Sequence, residues 1–414
     1  MSYQPASYIL TAGAASLGLF FMTRSIQSQG KRHPSEHVVS SPLKSLAALP
    51  AEELRKLPYP PDLFPGARDV DTPYGSIRVY EWGPERGRKV LLVHGISTPC
   101  MSLGIVAENL VQSGCRVMMF DLFGRGYSDN PSDVPHDTRL YTTQILLALA
   151  SSPLAWSGTN AFSIVGYSLG GGISTSFTSA FPTLVASLVI IAPSGILREH
   201  HIAWQSKILF STEGFLPESL IHWLVKRRMA EGPPTPDKKH DSSATDAVKA
   251  ETGNAHANPL KKADAPLFPH LPTVTIGGAV QWQIQNHAGF LPAFISAIRH
   301  APITAQHPYW RKIGERLTAQ KVNSADAQAM NNGLWRSKVL MILGSTDPII
   351  IKQETEEDAE ACLGKGNVET VVIEAGHEVP MSKAKEVTKA ILRFWGEDAE
   401  AVDLAPEPEV ETGT

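Results

Sequence analysis

Three residues in this chain have the types and settings needed for nucleophilic catalysis. Ser168 lies in Gly166-Tyr167-Ser168-Leu169-Gly170, after the apolar, β-prone run Ala161–Val165 and before a helix-like segment from Leu169 to Phe181. A serine hydroxyl is a weak nucleophile until a base removes its proton, and a base works best when a third group orients it. His377, in Ala375-Gly376-His377-Glu378, is the candidate base, and Asp347, in Gly344-Ser345-Thr346-Asp347-Pro348, is the candidate orienting acid. Glycines beside the serine suit a sharp, strained strand-to-helix turn with crowded neighbours. The helix N-terminal N–H groups after such a turn can stabilise developing negative charge. A pentapeptide of this kind also arises by chance, so its surroundings must decide.

Those surroundings are a series of short buried-strand patterns, each followed by a polar or glycine-bearing loop. Lys89–Val93 precedes His94-Gly95-Ile96, and Arg116–Phe120 precedes the segment from Asp121 to Asp129, which includes Gly124, Arg125 and Gly126. Ser187–Ala192, Lys338–Leu343 and Val368–Ile373 follow, the last two leading into Asp347 and His377. Serine, acid and base therefore occur in that order, each just past the C-terminal end of a strand, where open parallel sheets bind ligands. Asp121 and Asp129 are rival carboxylates, but they fall on the other half of such a sheet and read better as structural groups. His94 reads as a loop-shaping residue rather than a second base.

With these motifs in hand, the chain resembles the α/β-hydrolases of the first hydrolase-domain type, and most of all fungal serine hydrolases of unassigned substrate. The resemblance runs from about Ile77 to Trp395, across a long insertion, and rests on HG, DLFGRGYSD, GYSLGG, the strand before Asp347-Pro348, and GHEVP. It implies an α/β-hydrolase fold, a mostly parallel central sheet flanked by helices with a large helical lid insertion after the sixth strand. It also implies a Ser168-His377-Asp347 triad, with an oxyanion hole made by the backbone N–H groups of Ile96 and Leu169. Relatives that carry the acid after the sixth strand have a carboxylate where this chain has Pro193-Ser194, which leaves Asp347 as the acid. Epoxide hydrolases and haloalkane dehalogenases of the family carry aspartate at the elbow, so Ser168 points to acyl transfer. Carbon–carbon bond hydrolases and perhydrolases use the same set of residues, and a non-catalytic binding protein could keep the fold.

The insertion between Ser194 and Trp335 has two helical stretches with apolar spacing. The first, His201 to Arg228, contains Trp204, Ile208, Phe210 and Trp223; the second, Gly277 to Leu317, contains Trp282, Phe290, Phe294 and Ile298. Between them, residues 231–266 are rich in Pro, Ala, Asp and Lys and read as a mobile loop. Each aromatic taken singly suits core packing, but as a set they suit an apolar substrate pocket. Tyr167, Trp204, Trp282, Phe290 and Phe294 are the candidate pocket residues. His287 and His300 read as structural.

Composition bounds the remaining functions. The 414 residues are 43% hydrophobic and 19% charged, ordinary values for a globular chain. Three cysteines and no Asn-x-Ser/Thr sequon argue against a disulfide framework and against passage through the secretory lumen. No metal-ligand spacing appears and no cofactor is implied. Net charge is −4, but the segment 397–414 carries seven acids and no base, so the rest of the chain is slightly positive without a basic patch for nucleic acid.

Residues 6–22 are uncharged and apolar, about 25 Å as a helix against roughly 30 Å of bilayer hydrocarbon. Arg24, Lys31 and Arg32 follow and no base precedes, which favours an anchor with the catalytic domain on the cytosolic side over a secretory signal. A mitochondrial address is the alternative. The expected organisation is an anchor or targeting segment at 1–26, a linker at 27–65, hydrolase core at 66–193, lid at 194–335, core again at 336–396 and an acidic disordered tail at 397–414. The expected partner is a small apolar ester, with membrane association through residues 6–22; the oligomeric state is left open.

Overall fold

The computed structural model describes residues 37–158, 161–201, 210–211, 216–230, 265–323 and 333–398. The anchor segment 6–22, Trp204, nearly all of 231–266 and the tail beyond Asp398 lie outside the described residues. Among the described residues no helix is long and apolar enough to cross a membrane. Among them, too, no group of His, Cys, Asp and Glu side chains is placed to hold a metal ion. Cys100, Cys115 and Cys362 are buried free thiols.

Eight strands form one sheet: β1 (Arg68–Thr72), β2 (Gly75–Trp82), β3 (Lys89–Val93), β4 (Arg116–Phe120), β5 (Phe162–Tyr167), β6 (Val185–Ile191), β7 (Val339–Gly344) and β8 (Val368–Ile373). Their spatial order is β8-β7-β6-β5-β3-β4-β2-β1. The pairs from β4 to β8 are parallel, whereas β2 runs antiparallel to both β1 and β4. Composition tracks position. In the middle of the sheet β5 is buried at all six residues, the continuous run expected of a parallel strand covered on both faces. Each fully buried aliphatic side chain there, such as Ile164, contributes roughly 1.5–3 kcal/mol. At one edge β1 alternates half-buried and exposed residues and carries Arg68, Asp69 and Asp71, charges that discourage further strand pairing.

Helices fill the crossovers. The chain passes from β3 through α1 (Gly104–Gln112) to β4, then through α2 (Thr138–Ala150) to β5 and through α3 (Leu169–Ala180) to β6. Right-handed crossovers running in opposite directions along the sheet put α1 on one face and α2 and α3 on the other. Strand order thus reverses between β3 and β5, and the C-terminal ends of strands at such a switch point are where open α/β sheets bind ligands. After β7 comes α8 (Lys352–Leu363), and after β8 comes α9 (Ala384–Trp395), which packs beside α1.

Between β6 and β7 the described elements are α4 (Glu218–Ala230), a short antiparallel hairpin (Pro266–Phe268 with Leu271–Thr275), α5 (Ile276–Asn286), α6 (Phe290–His300) and α7 (His307–Asn323). The side chain of Thr275 starts α5 by accepting from the Gly278 N–H. Arg299 of α6 pairs with Glu218 of α4 at 2.8 Å. Although α7 falls within the stretch expected to form the lid, it packs against α3 and α8, in the layer of crossover helices.

Candidate active site

A single residue joins β5 to α3. Ser168 has φ 53° and ψ −119°, a region costly for any side-chain-bearing residue. Its backbone is held on three sides: its N–H donates to Ile191 O at 3.0 Å, and its carbonyl accepts from Gly171 N–H at 2.9 Å and Ser194 N–H at 3.0 Å. The flanking glycines are required by space. A Cβ on Gly166 would lie 2.3 Å from Gly170 O, and one on Gly170 would lie 2.0 Å from Val93 O. The turn is therefore set by backbone packed directly on backbone.

The candidate acid and base come from neighbouring strand ends. Asp347 follows β7, and its Oδ1 accepts from the N–H groups of Ile349 (2.8 Å) and Ile350 (2.9 Å). Its Oδ2 lies 2.7 Å from His377 Nδ1, and His377 Nε2 lies 2.9 Å from Ser168 Oγ. A carboxylate only accepts, so Nδ1 carries the proton and Nε2 is left to accept from the serine hydroxyl. Both partners of the Asp347–His377 pair are almost fully buried, and Ser168 is 7% exposed. The loop carrying His377 is tied to the one carrying Asp347 by Thr346 N–H donating to Ala375 O at 3.0 Å.

The loop after β3 has no regular structure and approaches α3 closely, since Gly170 packs on the carbonyls of Val93 and His94. His94 shapes it. Leu122 N–H donates to His94 Nε2 at 2.8 Å, so Nδ1 carries the hydrogen and donates to Gly95 O at 2.8 Å. Burial, with the Arg125 charge adding to it, pushes the His94 pKa down to about 3 and keeps the ring neutral. Leu169 occupies the first position of α3, where an N–H has no partner within its own helix.

The remaining candidates are placed as follows. Tyr167 donates its hydroxyl to His377 O at 3.1 Å, and its ring centre lies 5.4 Å from the imidazole, so it packs against the candidate base. Trp282 packs edge-on against Tyr127 at 5.5 Å. Phe290 and Phe294 stack on each other at 6.1 Å and are fully buried. The rival carboxylates are occupied with backbone: Asp121 accepts from Cys100 N–H and Tyr127 N–H, both at 2.9 Å, and Asp129 accepts from Ser41 N–H (2.7 Å) and Ser76 N–H (2.9 Å). His287 donates Nε2–H to Ser128 O at 2.9 Å and accepts from Gly289 N–H at 3.1 Å, and burial pushes its pKa down to about 4. His300 is exposed at the end of α6, and its pKa is lowered by the partial desolvation of its ring and by the Arg299 charge beside it. Two buried residues here carry no sequence signal of their own, Arg125 and Gln283; only their partners, named below, give them meaning.

Comparison with known proteins supports the fold that carries this site. A family model described as the alpha/beta hydrolase fold matches residues 89–384. A serine hydrolase-like protein of Danio rerio is 29% identical over 129 residues, which cover 31% of this chain and 38% of that protein. A human serine hydrolase-like protein is 32% identical over 120 residues, covering 29% of this chain and 56% of its own length. The match thus spans well under two thirds of either relative. Among solved structures, a carboxylesterase of Bacillus subtilis superposes with a TM-score of 0.53 at 16% identity, covering 86% of this chain and 98% of that one. A hydrolase of Pseudomonas aeruginosa gives 0.53 at 15% identity, covering 80% and 98%. At such identities the likeness concerns the fold.

Proposed function

The chain belongs to the α/β-hydrolase fold family, and from that premise we propose that it is a serine hydrolase that cleaves carboxylic esters of apolar character through an acyl-enzyme. The observation that carries this reading is the continuous relay Asp347–His377–Ser168, with links of 2.7 and 2.9 Å. Ser168 Oγ attacks the ester carbonyl as its proton passes to His377 Nε2, and Asp347 stabilises the resulting imidazolium. The carbonyl π electrons move onto oxygen, and the N–H groups of Ile96 and Leu169 stabilise that oxyanion by donating hydrogen bonds to it. Collapse expels the alcohol, which takes the proton from Nε2 and leaves Ser168 acylated. Water then repeats the sequence, with His377 accepting its proton, and releases the acid and free Ser168.

The serine hydrolase-like names of the relatives support the same chemistry. The apolar character of the substrate is supported by the buried apolar side chains of α5 and α6 in the insertion, among them Trp282, Phe290, Phe294 and Ile295. The test is a fluorophosphonate probe together with p-nitrophenyl esters of increasing chain length. The native protein is expected to label at Ser168, and Ser168→Ala to lose kcat by on the order of a millionfold. Undiminished turnover by Ser168→Ala would overturn the proposal. Product analysis with a vinylogous diketone distinguishes ester from carbon–carbon bond cleavage.

A further inference from the structure

Gln283 is a fully buried side chain of α5, in the insertion, yet its amide is spent on two loops of the core. Nε2 donates to Ser97 O at 3.1 Å, 186 residues away in sequence, and Oε1 accepts from Gly126 N–H at 2.7 Å. Ser97 is the residue after Ile96 in the irregular loop following β3, and Gly126 lies in the loop following β4. Next to Gly126, buried Arg125 donates Nε–H to Ile96 O at 2.9 Å and a terminal N–H to Phe123 O at 3.0 Å. One turn along from Gln283, His287 fastens the end of the same helix to Ser128 O.

These bonds form a pattern. Three successive carbonyls, Gly95, Ile96 and Ser97, are each held by a different side chain: His94, Arg125 and Gln283. A peptide unit is planar, so fixing its carbonyl fixes the N–H on its other side. The Ile96 N–H belongs to the first of these planes, which His94 holds directly, and the bonds to the next two restrict how far the loop that carries it can shift. The primary amide of Gln283 offers both the donor that Ser97 O takes and the acceptor that Gly126 N–H takes.

We propose that Gln283 is a positioning residue for the oxyanion hole, through which helix α5 of the insertion sets the orientation of the Ile96 N–H. The inference rests on the acyl-transfer reading above. It makes the insertion a part of the catalytic geometry as well as a cover. An oxyanion donor acts only when aimed at the oxygen of the tetrahedral intermediate, and a displacement of about 1 Å costs on the order of a hundredfold in rate.

The test compares the native protein with Gln283→Glu, which keeps the acceptor for Gly126 N–H and loses the donor to Ser97 O. Gln283→Met, uncharged and of similar length, is the second variant in case the buried carboxylate prevents folding. Thermal melting, the rate of labelling by a fluorophosphonate, and kcat and KM on p-nitrophenyl acetate, butyrate and octanoate are read for each. The expected result is a cooperative melt, a fall in kcat and labelling rate of about 10- to 100-fold, and KM within about threefold. The factor should be the same for all three esters, because the oxyanion is common to them. A native labelling rate in a folded variant would overturn the inference, as would a loss confined to KM or growing with acyl length, which marks a pocket wall. If the native protein itself fails to label, the hydrolase reading falls instead, and the two failures are distinguishable.

Discussion

The polar side chains around Ser168 are set by geometry that leaves each one a single protonation pattern. Asp347 uses one oxygen on two backbone N–H groups and the other on His377, so its orientation does not depend on the histidine. Asp347→Asn should therefore keep the loop but present an amide that can donate toward Nδ1, favouring the wrong tautomer. The expected loss is about 10⁴-fold in kcat with little change in melting temperature, measured on a short ester. His94 and His287 give a pH dependence of stability. Burial holds their folded pKa values down to about 3 and about 4, below the ordinary value near 6.5. Above pH 6.5 both rings are neutral whether folded or unfolded, and stability is full. As pH falls below 6.5 the unfolded chain takes up protons that the folded chain refuses. Each ring then removes about 1.4 kcal/mol per pH unit until the folded form protonates too. Urea midpoints recorded from pH 7 to 5 should fall, and His94→Gln should make the fall shallower; an unchanged slope would show that the ring is not held neutral.

At the scale of elements, the close backbone approach of β3, β5 and α3 makes the elbow intolerant of added volume. Gly170→Ala would drive a Cβ to within 2.0 Å of Val93 O, with only backbone to give way. The expected cost is about 3 kcal/mol, the upper end for overpacking, and denaturant titration reads it. Activity should fall with it, because the strand it displaces leads into the Ile96 loop. Sequence made the central elements legible for a physical reason. β3, β4, β7 and β8 are mostly apolar or β-branched, with single charges only at Lys89, Arg116 and Glu369, so their limits lie within one residue of those expected from pattern. The order Ser168, Asp347, His377 was legible for the same reason, since each residue sits where such a run stops. β1 and β2 escaped notice because an edge pair alternates charge with small residues, as in Arg68-Asp69-Val70-Asp71-Thr72. Gln283 was illegible because nothing in a single helical stretch announces a partner 186 residues upstream. Tyr167 looked like a pocket residue from its place beside the serine, whereas its hydroxyl is turned to the His377 carbonyl.

For the whole molecule, the membrane anchor read from residues 6–22 predicts that the full chain partitions with membranes and that a chain lacking residues 1–26 does not. Fractionation of both forms in cells checks this, and soluble full-length protein would remove the anchor. The sheet order has a separate consequence. Ser168 stands on β5, which has a strand on each side and is buried throughout, while His377 follows β8, the outermost strand, whose residues are half-exposed except for Ile373 and the exposed Val372. An edge strand opens at lower free energy than a central one. Ser168 and His377 therefore reside in regions of unequal protection, and amides of β8 should exchange with deuterium sooner than those of β5. Under mild denaturant the protein should fall silent while most of its sheet is still intact, and it should regain turnover on dilution without refolding from the start.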